Sequence, residues 1–453
     1  MNAQWFNAIG LFTALAVIGA VVLLTLVYRD LGRERGLGRH GRRMLTAGLG
    51  LGVLAFASKV MAIAVMVSLP EATLTPLAGM HKRQPPARTL AVHNPKAPSP
   101  PVKPHYVWEA LPSVAPAPAD SPSTPDKVAL GERLFHDKNL SRDRQVSCAS
   151  CHDVLRGAGI DGLVASEGIG GQIGKRNAPT VWNAAFQSRL FLDGRDPSLE
   201  EQAKGPPLNP IEMGLHSLAE VEARVAESGT YRAAFVRVFD GEQPLNIDNI
   251  VAAIAAYERG LITPDTPYDR FVRGDRQALN AAQLRGMDLF ESTGCVVCHL
   301  GPNFSSASLF DTRAPYRVFP AFDSAELRRY RFGDDPGRAQ VGDQIGDRIG
   351  DQRGLWRVPS LRNVALTAPY FHNGSVDKLE DAVRIMAAAQ LGRTIAIKPG
   401  AANAVSWSPV DRSLHRVVRR ELTQADVDDI AAFLRALSSE RLAAGLRGKT
   451  PRG

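Results

Sequence analysis

The sequence predicts a mainly α-helical protein in which one small domain occurs twice in tandem, behind an N-terminal apolar hairpin and a proline-rich linker. Three observations support this fold class. A Cys-x-x-Cys-His motif occurs twice, each time after a similar short amphipathic segment. Apolar residues elsewhere recur at spacings of three and four, which is typical of helices packed on one face. No alternating pattern long enough to predict an extended strand is present.

The first 83 residues predict a membrane anchor. Residues 9–28 are apolar and uncharged, and a helix of that length can cross a bilayer. Residues 44–69 form a second apolar run that is interrupted by Lys59, a charge that costs about 3 kcal/mol at mid-bilayer depth. Six arginines lie between the runs, and such loops stay in the cytoplasm. A cleaved signal peptide fits the first run poorly, because no basic residue precedes it. We therefore expect inner-membrane attachment, with the rest of the chain in the periplasm.

Residues 84–126 predict a linker, since twelve of these 43 residues are proline and such segments favour extended conformations. Tyr106 and Trp108 could form a local docking point within it. The net charge of +8 is concentrated in residues 1–83, which hold nine Lys or Arg against three Asp or Glu. The remainder shows no basic stripe, and the sequence therefore predicts no nucleic-acid partner.

The globular part divides into predicted domains at 127–265 and 266–441, followed by a tail at 442–453. Gly131–Phe135 precedes the first motif, and Gly286–Phe290 precedes the second. These matching segments indicate an internal repeat, and each predicts a short helix that leads into a motif. Further helices are predicted at 218–240, 246–260, 376–391 and 423–437, the last with Thr423 as its N-cap. A Gly-Asp repeat over 342–351 is interpreted as a solvated loop rather than a cation site.

The two motifs, Cys148-x-x-Cys151-His152 and Cys295-x-x-Cys298-His299, use all four cysteines of the chain. In such a motif both thiols attach covalently to a haem, and the histidine binds its iron. A zinc half-site, a thioredoxin-like dithiol and a structural disulfide are the alternatives, but each leaves both histidines unexplained. The sequence therefore predicts two c-type haems, each in a cytochrome c-like domain.

The second ligand of each iron decides the chemistry, because methionine suits electron transfer and an open site can bind peroxide. Met386, on a predicted helix, is the candidate ligand of the second haem, with an ordinary core methionine as the alternative. Met213 could serve the first haem in the same way. Its neighbour Glu212 could instead move protons between the oxygens of bound peroxide. The residues alone leave these two possibilities open.

Residues 127 to 440 resemble the bacterial di-haem cytochrome c peroxidases. Besides both haem motifs, the resemblance rests on an ordered set of short segments: Leu130–Phe135, Arg176–Thr180, Asp193–Arg195, Gln202–Pro206, Glu212–Met213, Val358–Asn363 and Pro369–Gly374.

This resemblance implies that the His152 haem reacts with hydrogen peroxide, with Glu212 as acid–base residue and Gln202 in support. The His299 haem, with Met386, would receive electrons from a small cytochrome c or cupredoxin. The family also implies a calcium ion held by oxygen atoms of Asn177, Thr367 and Pro369, and it commonly implies a homodimer. His372 lies in a family segment near the second haem and is expected to be structural.

Two departures from the family pattern matter. Residues 168–175 contain no histidine, whereas many members carry one there that caps the peroxide-reacting iron at rest. We therefore expect an open first haem, as in the related enzymes that mature the cofactor of methylamine dehydrogenase. Leu192 stands where the family usually has a tryptophan that relays electrons, and leucine cannot be oxidised. Trp182 is nearby in sequence, but nothing in the sequence indicates that it substitutes.

Three functions remain after this comparison. The leading one is a membrane-anchored periplasmic peroxidase. The second is a di-haem oxidase that modifies a protein or organic substrate, which the absent loop histidine favours and Met386 disfavours. The third is a non-enzymatic electron carrier, with Met213 as the ligand of the first haem.

Overall fold

The computed structural model describes residues 106–155, 157–311, 314–340, 353–393, 395–396, 404–405, 418–419 and 421–447. The predicted membrane hairpin and the Gly-Asp repeat lie outside these residues. Within them, no helix has both the length and the apolar character needed to cross a membrane. Residues Val102–Gly453 form one compact unit.

The first lobe contains helices α1 to α6. Their bounds are Pro125–Phe135, Cys148–Cys151, Leu199–Leu208, Leu218–Ala226, Gly229–Val238 and Ile247–Gly260. Thr124 caps α1 by accepting a hydrogen bond from the amide of Lys127. The segment predicted as one helix at 218–240 is helical but forms two helices, α4 and α5, which are separated by Glu227 and Ser228.

The second lobe contains helices α7 to α12. Their bounds are Pro267–Val272, Ala281–Ser292, Ala325–Arg329, Leu379–Ile385, Gln424–Ala436 and Glu440–Arg447. The predicted cap of α11 is confirmed, since Thr423 and Asp426 form a reciprocal capping box. The predicted tail at 442–453 begins within α12, which continues to Arg447.

Strands are short. Strands β1 to β6 span Tyr316–Val318, Leu355–Arg357, Ile395–Ala396, Ala404–Val405, Val418–Arg419 and Leu422–Thr423. They pair as β1 with β2 and β4 with β5, both antiparallel, and as β3 with β6, parallel. The mainly helical fold predicted from the sequence is confirmed.

Each lobe is built on one crossing of two helices, and a glycine lies at each crossing. In the first lobe α1 packs on α6, and a Cβ atom at Gly131 would lie 1.8 Å from the carbonyl oxygen of Ala253. In the second lobe α8 packs on α11, and a Cβ atom at Gly286 would lie 1.9 Å from the carbonyl oxygen of Asp429. The glycines of the sequence repeat therefore let the helix backbones touch.

The loops that follow each motif also repeat. Asn183 and Asn363 both have left-handed backbones, with φ of 64° and 61°, and each begins a turn of 3-10 helix. Phe191 and Phe371 are left-handed in the same way further along, at 60° and 69°. The repeat therefore extends from the helices to the loops that enclose each motif.

Residues 106–111, which the sequence placed in the linker, pack against the second lobe. Leu111 is 1% exposed, and its amide donates to the carboxylate of Asp269 at 2.9 Å. Trp108 packs edge-on against Tyr268 and Phe433, with ring centroids 6.1 and 5.7 Å apart. This part of the proline-rich segment is consequently integrated into the fold.

Candidate haem sites

The first motif begins on the short helix α2. The amide of Ser147 donates to the hydroxyl of Ser150 at 3.0 Å, and the amide of His152 donates to the carbonyl of Cys148 at 2.9 Å. Both cysteines are free thiols. Burial raises the pKa of Cys148 to about 12 and that of Cys151 to about 11. The tight turn therefore places two cysteine side chains, which no disulfide joins, beside one histidine.

The second motif has the same form on a turn of 3-10 helix, Cys295–Val297. Gly294 precedes it with a left-handed backbone, φ 95°, and the amide of His299 donates to the carbonyl of Cys295 at 2.9 Å. Cys295 and Cys298 are also free, which excludes the structural disulfide. The described residues contain no group of three His, Cys, Asp or Glu that could hold a metal ion.

Both motif histidines are held in one tautomer. The Nδ1 of His152 lies 3.3 Å from the carbonyl oxygen of Gly159, and the Nδ1 of His299 lies 3.1 Å from that of Phe304. Because a carbonyl only accepts, Nδ1 must carry the proton, and Nε2 keeps the lone pair that binds a metal. Burial lowers the pKa of His152, and it lowers the pKa of His299 to about 4. Both rings are thus neutral near pH 7, as a metal ligand requires.

A cavity of about 310 Å³ opens next to the second motif. Its lining brings together Cys295, Cys298, His299 and Met386. Met386 is the C-cap residue of α10 and begins a single turn of π-helix, Met386–Gln390. Such an irregularity is frequent at functional sites. The sequence-predicted ligand and the sequence-predicted motif therefore share one cavity.

The chemical character of this lining fits a haem. Most of it is apolar, as the flat ring requires, with Leu379, Val383 and Leu434 among the contributors. Arg317 and Arg357 supply two cations at the same wall, and they can pair with the two propionates of a haem.

Glu212 lies near the first motif. Its charge raises the pKa of the Cys148 and Cys151 thiols, which places the carboxylate within electrostatic range of both. Burial raises the pKa of Glu212 itself, and the charge of Arg195 lowers it in part. The amide nitrogen of Asn209 donates to its Oε1 at 2.7 Å. Glu212 is therefore an oriented carboxylate with an increased affinity for protons.

The other residues predicted around the first haem differ in their environment. Met213 is 2% exposed and belongs to the apolar core of the first lobe, together with Leu134 and Phe235. This position favours a packing role for Met213 and leaves Glu212 as the chemical group. Gln202 lies half-buried on α3, and no hydrogen bond joins the described side chains of Gln202 and Glu212.

The loop that lacks the family histidine packs on the Glu212 segment. Ile169 is 2% exposed, and its amide donates to the carbonyl of Glu212 at 3.0 Å. The side chain of Gln172 donates to the carbonyl of Pro210 at 3.2 Å, and a Cβ atom at Gly168 would lie 1.9 Å from the carbonyl of Ile211. The loop therefore places a buried isoleucine, which cannot bind iron, against the segment that carries Glu212.

Asn177, Thr367 and Pro369, the predicted calcium ligands, all line the cavity of the second site. The amide of Asn177 donates to the carbonyl of His372 at 2.8 Å, and its side-chain nitrogen donates to the carbonyl of Leu163 at 2.7 Å. The side-chain oxygen of Asn177 is thus the atom that can serve a cation. An amide oxygen with carbonyl oxygens is a donor set that suits a hard ion such as calcium.

A stack of two rings that sequence reasoning did not identify lies in the same cavity. Trp356 and His372 have centroids 4.2 Å apart and planes 18° from parallel. Leu192 also lines this cavity, and its carbonyl accepts from the amide of Arg357, next to Trp356. Trp182, the nearby tryptophan considered from the sequence, belongs instead to the core of the first lobe. No local sequence pattern marks Trp356, because its neighbours are remote in sequence.

A family model described as di-haem cytochrome c peroxidase matches residues 125–277. Cytochrome c peroxidase Ccp of Escherichia coli is 39% identical over 326 residues, which cover 72% of this chain and 61% of that protein. Cytochrome c551 peroxidase of Pseudomonas aeruginosa is 38% identical over 71% of this chain and 81% of its own length. The crystal structure of a MauG-like protein associated with microbial copper homeostasis matches with a TM-score of 0.58 and 32% identity. It covers 78% of this chain and 97% of that one.

Proposed function

Because the chain belongs to the di-haem cytochrome c peroxidase family, a family of oxidoreductases, we propose that it reduces hydrogen peroxide to water with electrons from a small redox protein. Each turnover converts one hydrogen peroxide, two electrons and two protons into two water molecules. A small cytochrome c or a cupredoxin is the proposed donor.

The observation that carries this proposal is the contrast between two matched sites. Both motifs present a neutral histidine with Nε2 available for iron. The motif of His299 shares its cavity with Met386, whereas the motif of His152 has the buried carboxylate of Glu212 close by. A methionine raises the potential of its haem, and a carboxylate beside the other haem suits peroxide chemistry. The contrast supports electron entry at His299 and reduction of peroxide at His152.

The residues of the first site have separate tasks in this proposal. Cys148, Cys151 and His152 hold the haem, whose iron supplies the binding and reductive cleavage of the O–O bond. Glu212 takes a proton from one peroxide oxygen and delivers it to the other, so that the leaving oxygen departs as water. The bond from Asn209 orients the carboxylate, and burial brings its pKa closer to neutral pH, where proton transfer in both directions is efficient.

The proposal also includes attachment to the inner membrane and one calcium ion. Residues 9–28 and 44–69 would hold the protein in the inner membrane, and the haem domains would lie in the periplasm. One calcium ion would be bound by Asn177, Thr367 and Pro369, which share a cavity wall. Because Asn177 is in the first lobe and the other two are in the second, bound calcium would stabilise the contact between lobes.

The test uses the full-length protein with both haems, studied by visible and EPR spectroscopy in the fully oxidised state. We expect one high-spin and one low-spin ferric signal, with the high-spin signal lost on addition of peroxide. Two low-spin haems that ignore peroxide, both before and after partial reduction, would refute the proposal and favour an electron carrier.

A second candidate is an oxidase that modifies a protein or organic substrate. The tightly packed loop around Ile169, which offers no histidine, is the observation that favours it. Likeness to a MauG-like structure is consistent with this alternative. A requirement for an external electron donor distinguishes the two, because the peroxidase consumes two electrons from a donor in every turnover. Peroxide consumption without any donor, coupled to oxidation of an added organic substrate, would favour the oxidase.

A further inference from the structure

We infer that Trp356 is the redox relay that carries electrons between the two haem sites, an inference that rests on the proposed function. Electrons that enter at one site must reach the other, and an oxidisable side chain between them divides the transfer into two shorter steps. Among the described residues that line the second cavity, Trp356 is the one indole.

The cavity wall connects the two sites. On the second-lobe side it contains His299 and Met386, and on the first-lobe side it contains Pro179 and Thr180. The hydroxyl of Thr180 donates to the carbonyl of Ala158 at 2.5 Å. The next residue, Gly159, accepts the bond from the ring of His152. A chain of contacts therefore leads from Thr180, in the wall of the cavity that Trp356 also lines, to His152 in the first site.

The surroundings of Trp356 suit an indole that loses an electron and keeps its proton. Trp356 is 7% exposed, and its ring nitrogen is buried with no hydrogen-bond partner among the described residues. Since none of these residues accepts the N–H proton, we expect oxidation to produce the protonated radical cation. The stack with His372, a neutral ring at 4.2 Å, adds polarisable electron density beside that cation.

Arg176 lies over the indole, 4.9 Å from its centroid, and a nearby cation opposes oxidation. Two ion pairs offset this charge. Arg176 contacts Asp193 at 2.6 Å and Asp335 at 2.7 Å, and both carboxylates are largely shielded from solvent. These pairs offset the charge of Arg176, which leaves the indole available as an electron donor.

The relay transfers one electron in two steps. The indole of Trp356 gives one electron to the first site after peroxide has oxidised it. An electron from the reduced second haem then returns the indole to its starting state. One electron has moved from the His299 site to the His152 site, and no proton or bond has changed at the relay.

The experiment is a single turnover followed by stopped-flow absorption, with the second haem reduced before peroxide is added. The first phase, oxidation of the His152 haem by peroxide, reports the proposed function. The second phase, oxidation of the His299 haem, reports the relay. We expect Trp356→Phe to leave the first phase unchanged and to slow the second about tenfold or more.

Two control variants separate the relay from general effects on packing. Trp182→Phe removes a buried indole of the first lobe, and Tyr370→Phe removes an oxidisable ring from the same cavity. Both should keep the second phase at the wild-type rate. Reduction potentials and resting spectra should be the same in all variants, which a purely structural role of Trp356 would not predict.

Loss of the first phase in the wild type would refute the proposed function. A normal first phase with an unchanged second phase in Trp356→Phe would refute the relay alone. Should that variant fail to bind both haems, Trp356→Tyr keeps an oxidisable ring in the stack. Because a tyrosine loses its phenolic proton when it is oxidised, whereas the indole keeps its N–H proton, we expect slower transfer with a solvent deuterium isotope effect that the wild type lacks. Wild-type kinetics in this variant would equally overturn the inference.

Discussion

Replacing Glu212 by glutamine tests the acid–base role most directly. The change removes the titratable group and keeps the length of the side chain. Asn209 donates to Oε1 at 2.7 Å, and a glutamine oxygen can accept the same bond. The geometry of the Pro210–Gly214 turn should therefore survive, and the variant should still bind two haems with the resting spectrum of the wild type.

The expected loss follows from the environment of the carboxylate. A positioned general acid or base contributes about 10²–10⁴-fold, or about 3 to 5 kcal/mol of barrier. Burial raises the pKa of Glu212 above its ordinary value, although the charge of Arg195 lowers it in part. We expect the second-order rate constant for peroxide to fall at least about a hundredfold in Glu212→Gln.

The pH profile supplies an independent check. The carboxylate form must accept the first proton, so the wild-type rate should fall as the pH drops through the raised pKa of Glu212. This acidic limb should lie above pH 4.3, roughly the ordinary pKa of glutamate, and it should be absent in Glu212→Gln.

Stopped-flow mixing of oxidised protein with peroxide at several pH values measures both quantities. Glu201→Gln is the matched control, because Glu201 is an exposed carboxylate on α3 that pairs with Lys204 at 2.9 Å. This control should keep the wild-type rate and the acidic limb. A Glu212→Gln variant that binds haem normally and reacts with peroxide within threefold of wild type would refute the assigned role.

Three further predictions concern stability and the second haem. Burial raises the pKa of Glu258 to about 8, so the folded state keeps a proton that the unfolded chain loses above about pH 4.3. The loss of folding free energy caused by Glu258 therefore grows as the pH rises towards 8, and Glu258→Gln should raise the Tm more at pH 8 than at pH 5. An equal gain in Tm at both pH values would contradict this. Leu111→Ala should lower the free energy of unfolding by about 2–5 kcal/mol in chemical denaturation, whereas Val107→Ala, at a position 69% exposed, should cost little. Equal losses would argue against the docking of residues 106–111. Met386→His should lower the potential of the second haem in a spectroelectrochemical titration, and an unchanged potential would exclude Met386 as a ligand.

The helices and the motifs were predictable because they depend on neighbours in sequence. Apolar spacing and the cap at Thr423 located α11, and the repeated segments that begin at Gly131 and Gly286 located α1 and α8. The histidine tautomers were not predictable, since they are set by the carbonyls of Gly159 and Phe304, whose positions depend on the loops.

The sequence offered only Tyr106 and Trp108 as a candidate docking point in residues 106–111, because proline-rich composition normally indicates a segment without a core. Here the contacts are made by particular side chains with partners far away in sequence. The amide of Leu111 binds Asp269, and the hydroxyl of Tyr106 accepts from the amide of Gly301 at 2.7 Å. Amino-acid composition carries no information about such contacts, because their partners come together only in the folded protein.

Tyr106 bears on function because Gly301 lies two residues after His299. The same loop is held from its other side by Arg362, which donates to the carbonyl of Pro302 and pairs with Asp269 at 2.7 Å in a fully buried position. Breaking a buried pair of this kind leaves an uncompensated charge and costs about 3–5 kcal/mol. The loop behind the second haem ligand is thus clamped by the segment that leads from the N-terminal region and by the core of its own lobe. A rigid ligand loop suits a haem that exchanges electrons, because small reorganisation of the ligands between redox states favours rapid transfer.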